Sequence, residues 1–563
     1  MQIMKEYEKW LSDPYFDSET RLELESIKDN KSEIEDRFYK ELEFGTGGIR
    51  GKIGAGINRI NKYTIRKATQ GLANLIKKNG TEAVNRGVVI AHDPRHMSKE
   101  FTLEAALVLA NNGIKSYVFN DLRPTPELSF AIRYLNAMAG IVITASHNPP
   151  EYNGYKVYWE DGAQMANKLT QEVSNEINKI DSLHGILPME KEKALELGLL
   201  EYIGDEVDDA YIEAVKGQSL RPEVIEKLGR DFKIVYTPLH GTGNIPIRRV
   251  LKEIGFENVF VVPEQEKPDP EFSTVNYPNP EERAAFELSI ELAMKENADL
   301  IIGTDPDCDR VGAVVKNMEG EYIVLTGNQT GALLVEYILS TLDEKDSLKE
   351  DGIVLKTIVT SEMGADIAKA YDITVLDTLT GFKYIGEKIK EFEKTGEHTF
   401  IFGYEESYGY LSGTYTRDKD AVVSSMLICE MAAYYKSRGL TLYEGLLELY
   451  EKYGYYLEDL KSITLEGRAG SEKIQSILND LRENPPTHIG GYKIIKMEDF
   501  LKQDKLPKAN VLKLHIEGDS WMALRPSGTE PKLKIYCGVK DISLEKSRTK
   551  LDVLINAMLK EMS

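Results

Sequence analysis

The stretch AGIVITASHNPPEYNGYK, residues 139–156, decides the fold class. Its apolar run Ala139-Gly140-Ile141-Val142-Ile143 reads as a fully buried strand. The run stops at Thr144-Ala145-Ser146-His147, and Asn148-Pro149-Pro150 turns the chain sharply. Similar buried runs recur at Val88–Ile90, Ile234–Tyr236, Leu300–Ile302 and Phe400–Phe402. Helical patterns separate them. Asn61–Lys78 places Ile65, Ala68, Leu72 and Ile76 on one face, with Gly80 just past its end, and Ser98 reads as an N-cap before a helix that Gly113 closes. Alternating strands and helices mean α/β layers. At 563 residues the chain is too long for one core. The tail differs: Leu512–Ile516 alternates, Gly518-Asp519 turns and Trp521–Leu524 returns, a hairpin of a smaller α+β domain.

Composition narrows the function. A net charge of −22 opposes general nucleic-acid binding and adhesion to anionic lipid. It does not exclude an anionic small substrate, because the global field is screened beyond about 8 Å. Three widely spaced cysteines, Cys308, Cys429 and Cys537, suit a reducing compartment without disulfides. The N-terminus lacks the apolar core of a signal peptide, and no apolar stretch approaches a membrane span. A cytoplasmic protein without nucleic-acid or membrane partners is expected.

Four strand ends carry loops rich in charge or Gly: HDPRHMS (92–98), ASHNPP (145–150), GTDPDCDR (303–310) and GYEES (403–407). Ligands of α/β layers gather beyond the carboxyl ends of strands, so several units each giving one loop to a shared cleft is the expected arrangement. In GTDPDCDR, Asp305, Asp307 and Asp309 alternate, and in extended backbone they project from one side. Three such carboxylates repel unless a cation sits among them, and oxygen ligands suit a hard ion such as Mg²⁺. A solvated acidic turn is the alternative. An EF-hand fails, since its Gly and Glu positions hold Arg310 and Lys316. A haloacid-type phosphatase is not excluded by this loop.

LRPSGTEP, residues 524–531, offers the Arg525 fork, the Ser527 and Thr529 hydroxyls around Gly528, and Lys532 and Lys534 beyond, which suits a phosphate cradle or a plain surface turn. GTGGIRGK, residues 45–52, fits neither GxGxxG nor a Walker loop. It leaves an anion-binding turn carrying Arg50, or a structural one. Tyr404-Glu405-Glu406-Ser407-Tyr408 suits polyol recognition. Ser146 lacks the GxSxG elbow, and in extended backbone His147 points away from its hydroxyl, which speaks against a Ser–His hydrolase. An acidic metal loop, a phosphate cradle and a serine together fit phosphoryl transfer in which Ser146 carries the phosphoryl group.

TASHNPPEYNGYK, GTDPDCDR, GYEESYG and RPSGTEPKLKIY, in this order, resemble the α-D-phosphohexomutase superfamily. TRDKDA (416–421) and TGFKYIG (380–386) look most like its phosphoglucomutase and phosphopentomutase branch. The resemblance implies three α/β domains with mixed sheets plus a smaller C-terminal α+β domain around a central cleft, divided here at 1–204, 205–323, 324–455 and 456–563. It implies that Ser146 is the phosphoserine and that Asp305, Asp307 and Asp309 hold Mg²⁺ together with it. Glu405 and Ser407 would bond the sugar, and Arg525, Ser527, Gly528 and Thr529, with Lys534, the phosphate. Arg50, Thr380, Gly381 and Arg417 would complete the substrate contacts. A glucose 1-phosphate/glucose 6-phosphate mutase working through glucose 1,6-bisphosphate, as a monomer or homodimer, is what this branch implies. Pentose and mannose phosphates are the alternative substrates, and Glu406 replaces a Met of the branch that takes mannose. Three Asp, one Mg²⁺ and a phosphoserine sum to about −3, so further cations are needed, and Arg310 is the nearest in sequence. Lys156, His147 and Lys419 are the candidates for acid/base work. A sugar phosphatase and a non-catalytic phosphosugar sensor remain the rival functions.

Overall fold

The computed structural model describes residues 2–45, 47–465, 467–526 and 532–562. Its strands form four sheets in chain order. The first comprises β1 (Gly48–Lys52), β2 (Val88–His92), β3 (Ser116–Phe119), β4 (Ala139–Ile143), β5 (Tyr152–Trp159) and β6 (Leu200–Ile203), ordered β1-β5-β4-β2-β3-β6. The second comprises β7 (Lys233–Thr237), β8 (Asn258–Val261), β9 (Leu300–Thr304), β10 (Val311–Lys316) and β11 (Tyr322–Val324), ordered β11-β10-β9-β7-β8. The third comprises β12 (Gly352–Thr357), β13 (Thr374–Thr378), β14 (Thr399–Tyr404) and β15 (Tyr410–Ser412), ordered β13-β12-β14-β15. The fourth comprises β16 (Tyr455–Thr464), β17 (His488–Ile489), β18 (Tyr492–Asp499), β19 (Leu512–Ile516), β20 (Ser520–Pro526) and β21 (Lys532–Asp541), ordered β16-β21-β20-β19-β18-β17 and antiparallel throughout.

The first three sheets share one plan. Each has a parallel core, β4-β2-β3, β9-β7-β8 or β14-β12-β13, and one core strand pairs antiparallel with the strand that follows it: β4 with β5, β9 with β10, β14 with β15. The loops joining these pairs are those of Ser146, of the three Asp and of Glu405. Each contains one non-glycine residue in the left-handed region, Ser146 (φ 54°), Cys308 (φ 54°) and Tyr408 (φ 64°). The chain reverses there within a few residues, so the polar loop stays at the carboxyl end of a buried core strand.

Local signals explain the elements. Asn61 caps the helix Lys62–Lys78 by accepting from the Tyr63 and Thr64 amides, and Ile65, Ala68, Leu72 and Ile76 are buried against the first sheet. Ser98 is not a cap, contrary to expectation. It is the first residue of the helix Ser98–Asn111, left-handed Met97 takes the cap position, and Ser98 Oγ donates to Asp93 Oδ1 at 2.9 Å. The Asp93 carboxylate competes for the hydroxyl and wins.

The expected hairpin is β19–β20, with Ile516 opposite Ser520 and both Gly518 and Asp519 at positive φ. Its sheet uses both faces. Met522, Leu524, Ile535 and Cys537 face the helices Gly467–Glu483 and Leu544–Glu561. The alternate residues Trp521, Ala523 and Tyr536 pack on Ile358, Val359 and Leu379 of the third domain. This two-sided burial docks the fourth domain over the cleft. No helix among the described residues is long and apolar enough to cross a membrane.

Candidate active site

The serine loop is built on strain and a clamp. A non-glycine residue in the left-handed region costs on the order of 1–3 kcal/mol. At Ser146 the cost is offset by the amide, which donates to Thr144 Oγ1 at 2.8 Å, and by Arg95. The Arg95 guanidinium donates to the carbonyls of Ser146 (2.6 Å), Asn148 (2.5 Å), Pro149 (2.8 Å) and Tyr152 (3.1 Å), so one buried side chain holds the entire loop. Its other face lies over the Phe272 ring of the second domain at 4.8 Å.

This backbone overturns one expectation. The expectation that His147 points away from the serine hydroxyl holds only for extended backbone. With Ser146 left-handed, Oγ lies 3.1 Å from His147 Nδ1. The same Oγ donates to Asp305 Oδ2 at 2.8 Å across the domain boundary, and Ser146 is 4% exposed.

The acidic loop is likewise a turn, not an extended run. The Cys308 amide closes on the Asp305 carbonyl at 2.9 Å, and the carboxylates converge because the chain curls around them. One ligand atom from each of Asp305, Asp307 and Asp309 lies within 4.8 Å of the others. In each carboxylate one oxygen is pinned by protein donors. Asp305 Oδ1 accepts from the Asp309 and Arg310 amides at 3.1 and 3.0 Å. Asp307 Oδ2 accepts from Lys156 Nζ at 2.7 Å and Thr125 Oγ1 at 3.1 Å. Asp309 Oδ2 lies 2.9 Å from Lys419 Nζ and 3.4 Å from Lys156 Nζ. The other oxygens are Asp305 Oδ2, turned to Ser146, and Asp307 Oδ1 and Asp309 Oδ1, both buried with no hydrogen-bond partner. Orphaned buried carboxylate oxygens are costly, and a hard divalent cation satisfies them. The residues present fit a metal ion.

Electrostatics follow from this crowding. Burial, with Asp307 and Asp309 adding, holds Asp305 far above the carboxylate range. Burial also pushes Asp307 upward, but the Lys156 ammonium overrides it and holds the group far down. Burial, then the Arg310 and Arg50 charges, keeps the His147 imidazole well below its ordinary value and neutral.

A cleft of about 710 Å³ opens beside these loops. Arg50, His147, Arg310, Thr380, Gly381, Glu405, Ser407, Lys419, Arg525 and Lys534 all line it. Arg50 Nη1 donates to Asn148 Oδ1 at 3.0 Å, tying the Gly-rich turn to the serine loop. Arg310 Nη1 pairs with Glu281 Oε1 at 2.5 Å, so part of its charge is already compensated. At the other end Arg525 sits opposite Lys534 in the β20–β21 pairing; burial followed by the Arg525 charge depresses Lys534, and burial depresses Lys383 against the pull of Glu387. Arg525 and Lys534 side by side on the cleft wall suit an anion, despite the chain's net −22. Ser527, Gly528 and Thr529 lie outside the described residues.

Arg417 is not brought to the cleft. It is fully buried, and its guanidinium bonds the Thr414 and Thr416 carbonyls and pairs with Glu393. Its neighbour Asp418 accepts from Tyr158 OH at 2.6 Å and from the Lys419 amide at 2.8 Å, which fixes the Lys419 loop. Lys156 and Tyr158 are two apart on β5, and this spacing sends both to the same face. Arg95 sat in a loop singled out from sequence, but nothing local showed where its fork would go. Glu281 lies in NYPNPEE, residues 276–282, which has no strand-end pattern to mark it.

The Glu405 carboxylate accepts from the Gly381 amide at 2.8 Å, linking the sugar-loop acid to the Thr380-Gly381 turn. Burial pushes Glu405 up to about 7, against the pull of Lys419. A raised carboxyl binds its proton more tightly in the folded state, so its contribution to stability is full below the ordinary carboxylate range and is lost as pH rises through about 7. Glu405→Gln should therefore gain melting temperature relative to the unmodified protein between about pH 5 and pH 8. A constant difference across that range in thermal-melting curves would refute the assignment.

Solved structures share this fold. The chain superposes with a TM-score of 0.71 on pp63/parafusin, a phosphoglucomutase from Paramecium in its open form, at 17% identity over 93% of this chain and 95% of that one. A phosphoglucomutase/phosphomannomutase family protein from Burkholderia thailandensis gives 0.67 at 18% identity, covering 92% and 97%. The four sheets around one cleft are thus a fold shared with these structures. Family models of the phosphoglucomutase/phosphomannomutase α/β/α domains I, II and III match residues 41–184, 209–320 and 326–453, and the chain belongs to this family. The phosphoglucomutase of Staphylococcus haemolyticus is 41% identical over 89% of this chain and 91% of that protein. That of Staphylococcus aureus strain MRSA252 is 39% identical over 94% and 95%.

Proposed function

We propose that the protein interconverts glucose 1-phosphate and glucose 6-phosphate, with Ser146 as the phosphoryl carrier and glucose 1,6-bisphosphate as the intermediate. The observation that carries this reading is the Ser146 hydroxyl, 2.8 Å from Asp305 of the acidic loop. Its loop borders a cleft whose other wall holds Arg525 and Lys534. Mg²⁺, held by Asp305, Asp307, Asp309 and the serine-borne phosphoryl group, would neutralise charge on the phosphoryl oxygens. Ser146 gives its phosphoryl group to the free hydroxyl of the sugar phosphate. The P–Oγ bond breaks, a P–O bond to the sugar forms, and the hydroxyl proton passes to a base. The bisphosphate then turns over, and its other phosphoryl group, the one the substrate brought, passes to Ser146: that group's bond to the sugar oxygen breaks, a new P–Oγ bond forms, and the sugar oxygen takes up a proton to leave the isomeric monophosphate. Arg525 and Lys534 hold whichever phosphate is not reacting, while Glu405 and Ser407 bond sugar hydroxyls. Of the acid/base candidates, Lys419 and His147 reach the cleft wall, whereas Lys156 bridges Asp307 and Asp309. This reading places the enzyme in the cytoplasm, as a monomer or homodimer.

Steady-state kinetics on glucose, mannose, glucosamine and pentose 1-phosphates test it, with free phosphate assayed in parallel. Glucose 1-phosphate should give the highest kcat/KM, with isomerised sugar phosphate and no net hydrolysis. Arg525→Ala should weaken every phosphosugar alike, since the phosphate is common to all. Glu405→Ala should blur the choice among sugars. A clear preference for a pentose or mannose phosphate, or stoichiometric release of phosphate, would overturn it.

A further inference from the structure

The metal loop belongs to the second sheet, yet one of its carboxylates is oriented by the first domain. The helix Thr125–Tyr134 begins with Thr125, which is fully buried. The Thr125 amide donates to the Asp307 carbonyl at 2.9 Å, and its Oγ1 donates to Asp307 Oδ2 at 3.1 Å. Both main chain and side chain of one aspartate are thus gripped by the first residue of a helix from another domain. The N-terminus of that helix carries roughly half a positive charge, which favours an anionic neighbour.

We infer that Thr125 is a positioning residue for the metal: by holding Asp307 Oδ2, it keeps Asp307 Oδ1 turned toward the ion. This rests on the reading of the Asp305/Asp307/Asp309 loop as a metal site. Two contacts occupy Oδ2, Thr125 Oγ1 and Lys156 Nζ, and both come from the first domain. Oδ1 is left buried with no partner. A carboxylate held at one oxygen by a flexible ammonium alone can swing about its terminal torsion, whereas a second donor from a rigid helix end fixes the plane. The same domain supplies Ser146, so docking of the first domain on the second assembles the serine and orients a ligand at once. The sequence carried a faint sign of this: Pro124-Thr125-Pro126 marks a helix start, without showing what that start faces.

The test is direct titration of the full-length protein with Mn²⁺, followed by electron paramagnetic resonance, beside thermal melting. Thr125→Val should weaken Mn²⁺ binding by about 10–100-fold, the usual loss when an outer-sphere hydrogen bond is removed. Thr125→Ser keeps the hydroxyl and should restore most of it. The metal concentration for half-activation should rise with Thr125→Val more than kcat falls at saturating metal. A hydroxyl that only joined two domains would lower the melting temperature and leave Mn²⁺ affinity unchanged, and that result would overturn the inference. So would a Thr125→Ser variant as weak as Thr125→Val. Should Thr125→Val not fold, Thr125→Ala is read against Thr125→Ser by the same criterion. Asp307→Asn separates this inference from the reading beneath it: unchanged Mn²⁺ affinity there would mean that the loop is not the metal site.

Discussion

Ser146→Ala should lower kcat/KM for glucose 1-phosphate by at least about 10⁴-fold while leaving the protein folded, the scale of loss seen when a covalent nucleophile is removed. The hydroxyl contacts His147 Nδ1 and Asp305 Oδ2, and alanine forfeits both. The backbone shape does not depend on it. The Thr144 hydroxyl and the Arg95 fork hold the left-handed turn through main-chain atoms, and these survive the change. The stability cost should stay within about 1–3 kcal/mol, the worth of two hydrogen bonds, one of them to a buried carboxylate. A coupled assay with matched melting curves reads both quantities. Activity within about tenfold of the unmodified enzyme would remove Ser146 from the reaction.

Asp307→Asn should be the next most damaging change, slowing turnover by about 10²–10⁴-fold, since a metal's charge stabilisation is worth several kcal/mol. The amide matches the carboxylate in shape but removes a charge that answers Lys156 at 2.7 Å, and it weakens the ligand set. Raising Mg²⁺ should recover only part of the loss. Full recovery, or activity indifferent to Mg²⁺ in the unmodified enzyme, would contradict the role given to this loop.

The core strands and their terminal loops were legible because both are local. A run such as Ile141-Val142-Ile143 is buried on both faces wherever it sits in a parallel core, and the polar residues after it mark its carboxyl end. What the pattern could not supply was backbone hand. Ser146 and Cys308 adopt left-handed conformations without the glycine that would announce them, so the extended-chain reading misplaced His147 and gave the wrong reason for the meeting of the Asp side chains. Arg417 shows the other limit. It stands two residues from Lys419, yet one reaches Asp309 and the cleft while the other turns to the Thr414 carbonyl and Glu393. Contacts between domains leave even less trace. Thr125 and Tyr158 act across domain boundaries, on Asp307 and Asp418, while Arg95 and Glu281 reach Ser146 and Arg310 from other loops of their own domains. The common plan of the first three sheets was likewise visible only as a recurrence of loops, because strand order depends on pairings that no single segment encodes.

The central claim is that Ser146 itself carries the phosphoryl group between the two ends of the sugar. Intact-protein mass spectrometry after brief incubation with glucose 1,6-bisphosphate and Mg²⁺, followed by peptide mapping, tests it most directly. The account predicts a gain of one phosphoryl group, located on Ser146, reversed by excess glucose 6-phosphate and absent from Ser146→Ala. Equal labelling of Ser146→Ala, or a phosphoryl group found on another residue, would contradict it.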